Sequence, residues 1–385
     1  MTEPLNPKPA ALNLEPVLES QLLSGDLQPG AINFCWGFGK TYVNVQEQIF
    51  GLIENQFAPG IVTHTIEDAV QGAVNLSLFI RQGREKDDAH KVTADVILAH
   101  GIADKRYFFT QDSDTSLPLA NEYEYLLVPG SWHVNRLIEG SYRRNPHYQI
   151  TVEQNQVKKV GWLRLDSLIT ESATGDKEPH HKLRVLWAPT HNVVPGTNDK
   201  KIDEIATSSF PGFKKHVKET ANRYIFRVSL HPRNRSERTP TGSQLVWADV
   251  VISDFGTMVY EAWALGKPVI FPRWCIDVET LINRNPLSAE SYIYRNRIGL
   301  HPETQEEMNQ MLDRIQGEII GNSATRLFKR ISRLKRPRRS ASDYRGYGVA
   351  EFIDHYVDPT HRGNDARRTA EVLMQIALEK GLSTR

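Results

Sequence analysis

The stretch from Leu245 to Trp274 constrains this chain most, because two short apolar runs, Val250-Val251-Ile252 and Val269-Ile270-Phe271, bracket a helical pattern. Continuous apolar runs of this length fit strands buried on both faces. Between them, Met258, Ala262 and Leu265 are spaced as on one face of a helix running from Thr257 to Leu265. Gly266 is placed to close that helix in the left-handed conformation, and Pro268 bars its continuation. The polar turn Ser253-Asp254-Phe255-Gly256-Thr257 then lies where a strand's carboxyl end meets the first amides of a helix. Unpaired N–H groups and the positive end of the helix dipole favour a phosphate there, and Gly256 lets the backbone approach it. A plain helix cap by Ser253 or Asp254 fits the same residues.

The same alternation runs through the first half. Strands are predicted over Ala31–Trp36, Gly60–Thr65, Ala94–Ala99 and Glu124–Pro129, and helices over Asn44–Gln56, Ile66–Gln82 and Gly130–Ile138. Strands alternating with helices imply a parallel sheet with right-handed crossovers. Gly37-Phe38-Gly39-Lys40-Thr41 ends like a phosphate loop, but Trp36 or Phe34 stands near the place where its further glycine is needed, so it reads as a strand-to-helix turn. The Ala94–Ala99 run leads directly into His100-Gly101, which puts an imidazole at the rim where such sheets hold ligands. At 385 residues the chain exceeds one typical core, so two domains are expected. The charged, aperiodic stretch Glu171–Lys182 reads as the linker between them. The division is a lead-in over 1–29, domains over 30–175 and 176–345, and a helical segment over 346–385.

In the second half, Leu183–Ala188 and Arg223–Leu230 add two strands. Their ends deliver Thr190 and the pair His231 and Arg233 to the sheet edge that carries Asp254, Gly256 and Thr257. Hydroxyl, imidazole, guanidinium and helix amides together suit a diphosphate. Helices follow at Gln305–Leu312 and Asn364–Lys380, the latter with Gly381 as its stop. Between them, residues 326–339 are strongly basic; Arg333, Arg336 and Arg339 read either as a solvated face or as a contact for anionic headgroups or a polyanionic acceptor. The net charge of +1 argues against a globally basic nucleic-acid binder. No apolar run reaches the ~20 residues of a membrane span and the first residues lack a signal-peptide pattern, so a cytoplasmic location is expected. Cys35 and Cys275 cannot form a disulfide framework and read as buried thiols.

In this order the segments resemble the CDP-glycerol glycerophosphotransferase family of teichoic acid and capsule synthesis, over roughly residues 90 to 375. His100-Gly101 looks like the family's His-Gly-Thr segment, and Gly161–Asp166 is similar to its Gly-x-Pro-Arg-x-Asp. Ala188–Thr190 matches Ala-Pro-Thr, His231–Arg233 matches His-Pro-Arg, and Asp249–Phe271 is similar to its Asp-x-x-Ile-Thr-Asp-Tyr-Ser-Ser and Lys-Pro-x-Ile-Phe. Gly363–Arg368 resembles its final Asp-Gly-x-x-x-x-Arg helix. The resemblance implies a GT-B fold, two Rossmann-like α/β domains with parallel sheets facing a cleft, the last helix crossing back to the first domain. It implies His100 as general base, with His231, Thr257 and nearby helix amides holding the diphosphate of a CDP-linked donor. The acceptor would be a polymer or lipid-linked hydroxyl at the inner face of the membrane, and no metal or cofactor would be needed.

The chain departs from the family pattern at several places. Gly256-Thr257 stands for two serines, His191-Asn192 for Trp-Arg, Leu163 for proline and Ile102 for threonine, which leaves the identity of the donor open. Glu261-Ala-x-x-x-Gly266-x-Pro268 also resembles nucleotide-sugar GT-B glycosyltransferases and UDP-N-acetylglucosamine epimerases. There Glu261 is either a donor-ribose contact or a plain helix-surface residue. A third reading is a non-enzymatic polyanion-binding protein built on residues 326–339.

Overall fold

In a computed structural model of the chain, the structure describes residues 22–23, 26–36, 39–66, 69–78, 95–99, 101–103, 119–138, 150–174, 181–190, 207–231, 241–284, 286–320 and 346–384. The first half supplies strands β1 (Ile32–Trp36), β2 (Val62–Ile66), β3 (Val74–Ser77), β4 (Val96–Leu98), β5 (Tyr125–Val128) and β6 (Val157–Lys159). All pair in parallel, in the order β2-β1-β3-β4-β5-β6. Helices α1 (Gly39–Glu54), α2 (Ser131–Ile138) and α3 (Arg164–Thr174) accompany them. The second half supplies β7 (Arg184–Ala188), β8 (Ile225–Val228), β9 (Val250–Ser253) and β10 (Val269–Ile270), parallel in the order β10-β9-β7-β8. Its helices are α4 (Phe210–Phe213), α5 (Val217–Arg223), α6 (Thr241–Trp247), α7 (Thr257–Ala264), α8 (Val278–Arg284), α9 (Ala289–Asn296) and α10 (Gln305–Ile319). Two more, α11 (Val349–Tyr356) and α12 (Asp365–Glu379), end the chain.

The central strands are buried throughout because both faces are covered. Every residue of β3, β4 and β9 is buried, and each fully buried Val, Leu or Ile contributes about 1.5–3 kcal/mol relative to exposure. Helix α7 stops as its glycine predicts. Gly266 has φ +74°, and N–H groups of Gly266 and Lys267 donate to the carbonyls of Trp263 and Ala262, both at 2.9 Å. This paired closure satisfies carbonyls that the helix itself leaves open. Gly381 closes α12 in the same way, with Leu382 N–H donating to Ala377 O at 3.0 Å.

Two local expectations are corrected. The helix expected over Ile66–Gln82 is replaced by β3, inserted between β1 and β4. Its buried Asn75 accepts from Asn33 Nδ2 at 2.9 Å and donates to Asp95 Oδ2 at 3.0 Å. The alternation Val74-Asn75-Leu76-Ser77-Leu78 has the period of a strand, and the polar partners of Asn75 on β1 and just before β4 hold it in the sheet. Residues 171–174, expected to open the linker, are instead the last turn of α3. Cys35 and Cys275 are both free and buried, and burial pushes the Cys275 thiol up to about 12.

The ends of the described chain pack on the first sheet. Leu23 and Leu27 are buried, Leu23 beside Phe57 and Leu27 beside Ser383. Helix α12 lies against α1, α3, β1 and β3, while α11 is wedged between α2 of the first half and α7 of the second.

Candidate functional site

The second sheet reverses its winding between β7 and β9, since β8 lies on one side of that pair and β10 on the other. Ligands of open parallel sheets bind in the crevice at the carboxyl ends of the strands flanking such a reversal. Thr190 follows β7 there, and the turn Asp254–Gly256 follows β9 and opens α7.

Asp254 organises this edge from below. It is wholly buried, and its Oδ2 accepts the Thr190 N–H at 3.0 Å and lies 3.2 Å from Ser208 Oγ. Ser208 Oγ is also 2.9 Å from the Thr190 carbonyl, so one hydroxyl proton serves two acceptors. The Tyr294 hydroxyl donates to the Asp254 carbonyl at 2.9 Å, and Ser253 Oγ donates to Ala188 O at 2.7 Å. Burial pushes the Asp254 carboxyl up to about 6, against the opposing pull of hydrogen bonds from Ser209, Thr190 and Ser208. The carboxylate thus fixes the strand ends to each other.

Above it the turn is open. Gly256 has φ +105° and ψ −177°, a conformation reserved for glycine. A Cβ built on it would meet nothing within 4 Å. The first N–H groups of α7, from Thr257 onward, point out of the helix end beside this space. His231 lies three residues beyond β8 on the same edge. Arg233 lies outside the described residues, as do His100 and the trio Arg333, Arg336 and Arg339.

Glu261 is not on the helix surface. It is wholly buried, with Oε1 accepting from Trp162 Nε1 at 2.8 Å and facing Arg164 Nη1 at 3.4 Å. Burying a carboxylate requires such partners, so Glu261 ties α7 to the segment between β6 and α3. That segment meets the last helix in turn. The Asp166 carboxylate accepts the N–H groups of Asp365 and Ala366 at 2.9 and 2.8 Å, while Asp365 Oδ2 accepts the Trp162 N–H at 3.0 Å. Gly161 has φ +71°, and a Cβ there would come within 2.1 Å of Asp365 Oδ1. The two motifs Gly161–Asp166 and Gly363–Arg368 therefore form one clasp.

Sequence reasoning missed Ser208, Tyr294 and Tyr356. None of the three sits in a motif that the sequence reading singled out. Tyr356 donates its hydroxyl to the Ile102 carbonyl, at 2.8 Å, in the turn Gly101–Ala103 that ends β4. Its ring stacks on Tyr260 of α7 at 4.0 Å and 6°.

Two parallel α/β sheets, each with its winding reversal at the carboxyl edge and clasped by a returning C-terminal segment, define a GT-B fold. Among solved structures, that of the wall teichoic acid polymerase TagF aligns with 92% of this chain and 91% of its own, at a TM-score of 0.54 and 14% identity. An alanine variant of TagF aligns over the same shares with a TM-score of 0.53 and 14% identity. A TagF variant soaked with CDPG gives 0.51 and 13%, again over 92% and 91%. No family model and no curated protein sequence matches the chain.

Proposed function

We propose that this chain is a transferase that moves a glycerophosphate-like unit from a CDP-linked donor to a hydroxyl acceptor during synthesis of a cell-surface polymer. One observation carries the reading: the glycine-opened turn at Gly256-Thr257 stands at the winding reversal of a sheet whose fold is shared with TagF. In this reading the diphosphate lies on the α7 amides and Thr257, with His231 and Arg233 over it and Thr190 beside it. The acceptor oxygen attacks the β-phosphorus, the bond from that phosphorus to the bridging oxygen breaks, and CMP leaves with that oxygen. His100 takes the acceptor proton. Phosphoryl transfer depends chiefly on positioning and on neutralising charge, and these groups supply both.

The complete burial of Glu261 against Trp162 and Arg164 favours this over a nucleotide-sugar enzyme, in which that glutamate would meet the donor ribose. Arg333, Arg336 and Arg339 are proposed to hold a polyanionic acceptor or anionic headgroups, with the protein peripheral at the inner membrane face. Among the described residues, no helix is long and apolar enough to cross a membrane.

The test is to incubate the protein with CDP-glycerol or UDP-sugars and a glycerol-phosphate oligomer bearing a free hydroxyl. CMP release is expected; release of UDP alone would overturn the proposal. His100→Ala is expected to abolish transfer with donor binding retained, and His231→Ala to weaken donor binding as well.

A further inference from the structure

The side chain of Tyr356 joins three elements that belong to opposite sides of the molecule. Its hydroxyl bonds to the Ile102 carbonyl at 2.8 Å, in the turn that directly follows His100 in sequence. One ring face lies on Tyr260, at 4.0 Å and nearly parallel, one helical turn along α7 from Thr257. Its backbone is held against the end of β5. Asp358 N–H donates to Pro129 O at 2.8 Å, and a Cβ on Gly130 would stand 2.5 Å from the Tyr356 carbonyl oxygen. Tyr356 itself is wholly buried, with Phe352 and His133 packed on it at centroid distances of 5.5 and 4.7 Å.

A phenylalanine would fill the same core volume and stack as well. A hydroxyl placed in this dry interior costs free energy unless it is bonded, so its presence is explained by the bond it makes. That bond holds the carbonyl of a turn rather than one inside a helix or strand, so it fixes a segment that no regular ladder holds. Tyr260 at the other side of the ring is carried by the helix whose first amides open onto the glycine turn.

We propose that Tyr356 is a positioning residue, which sets the register between the turn after β4 and the donor-side helix α7. The inference rests on the reading of the site given under Proposed function. In that reading the acceptor is deprotonated on one side of the cleft and the donor held on the other, so the rate depends on their alignment. Displacement of a reacting group by about 1 Å can cost on the order of a hundredfold in rate. Donor affinity depends on the α7 turn and the strand ends beside it, which Tyr356 does not touch through its hydroxyl.

The experiment compares wild type, Tyr356→Phe and Tyr224→Phe with CDP-glycerol and the glycerol-phosphate oligomer. Tyr224 is the control because it too is buried and donates its hydroxyl, to Asp313 Oδ1 at 2.7 Å, far from the cleft. For Tyr356→Phe, kcat is expected to fall about ten- to a hundredfold, with the KM for CDP-glycerol unchanged and amide hydrogen exchange at residues 101–103 accelerated. Tyr224→Phe is expected to lose comparable thermal stability and keep kcat. Wild-type kcat and unchanged exchange in Tyr356→Phe would overturn the inference alone. A wild-type protein that releases no CMP would overturn the functional reading, and the inference with it.

Discussion

Asp365→Asn should make the protein more stable at alkaline pH, and the clasp at the start of α12 explains why. Asp365 is wholly buried beside Asp166, and burial first, then the Asp166 charge, push its carboxyl up to about 8. Burial raises Asp166 also, opposed by the N–H groups of Ala366 and Asp365 that it accepts. Below the ordinary value of 3.8, folded and unfolded chains both hold the Asp365 proton and no penalty arises. As pH rises from there, the unfolded chain ionises first, so stability is lost progressively up to about 8 and stays lost above it. The interval from 3.8 to about 8 spans roughly four pH units at about 1.4 kcal/mol each, an upper bound of about 6 kcal/mol. About half of that interval falls between pH 6 and pH 8. Asparagine keeps an oxygen for the Trp162 N–H and carries no charge. Urea unfolding at pH 6 and pH 9 should show the variant gaining about 2–3 kcal/mol on wild type between the two conditions. A difference that stays constant with pH, or that grows in favour of wild type, would refute the argument.

Two further perturbations probe the neighbouring elements. Gly256→Ala forces a side chain into φ +105° without creating a clash, so a backbone cost of about 1–3 kcal/mol is expected. Calorimetric titration with CDP-glycerol should show binding weakened about tenfold as the turn relaxes, equivalent to about 1.4 kcal/mol; unchanged affinity would remove this turn from the donor site. Trp162→Phe deletes the 2.8 Å bond to Glu261 and leaves that carboxylate with Arg164 alone, so chemical denaturation should register a loss of about 1.5–3 kcal/mol. A loss under about 0.5 kcal/mol would mean that Arg164 alone meets the needs of Glu261.

Much of the local structure was legible in the chain. The strand, glycine turn, helix and glycine stop from Val250 to Gly266 appear as read, and so does the strand and helix pair Tyr125–Val128 and Ser131–Ile138. These features depend on short-range physics: apolar periodicity, an open helix end and the left-handed freedom of glycine. The segment at 74–77 differs from its expectation because a helical period was assigned across 66–82, whereas Val74, Leu76 and Leu78 alternate with polar Asn75 and Ser77 as in a strand, and Asn75 is held there by Asn33 and Asp95. The candidate site was legible as a set of strand ends, with Thr190 and Asp254 side by side as that placement requires.

Sequence by itself determined which residue types stand at the strand ends and where the chain turns, because those depend on neighbours a few positions away. Tertiary structure alone decided which of them face outward. Asp254 and Glu261 carry chemistry suited to a ligand, yet both are wholly buried, where a carboxylate persists only with partners brought from distant segments. The same holds for Gly161–Asp166 and Gly363–Arg368, motifs about 200 positions apart that become one clasp because a helix end needs acceptors and Asp166 is folded against it.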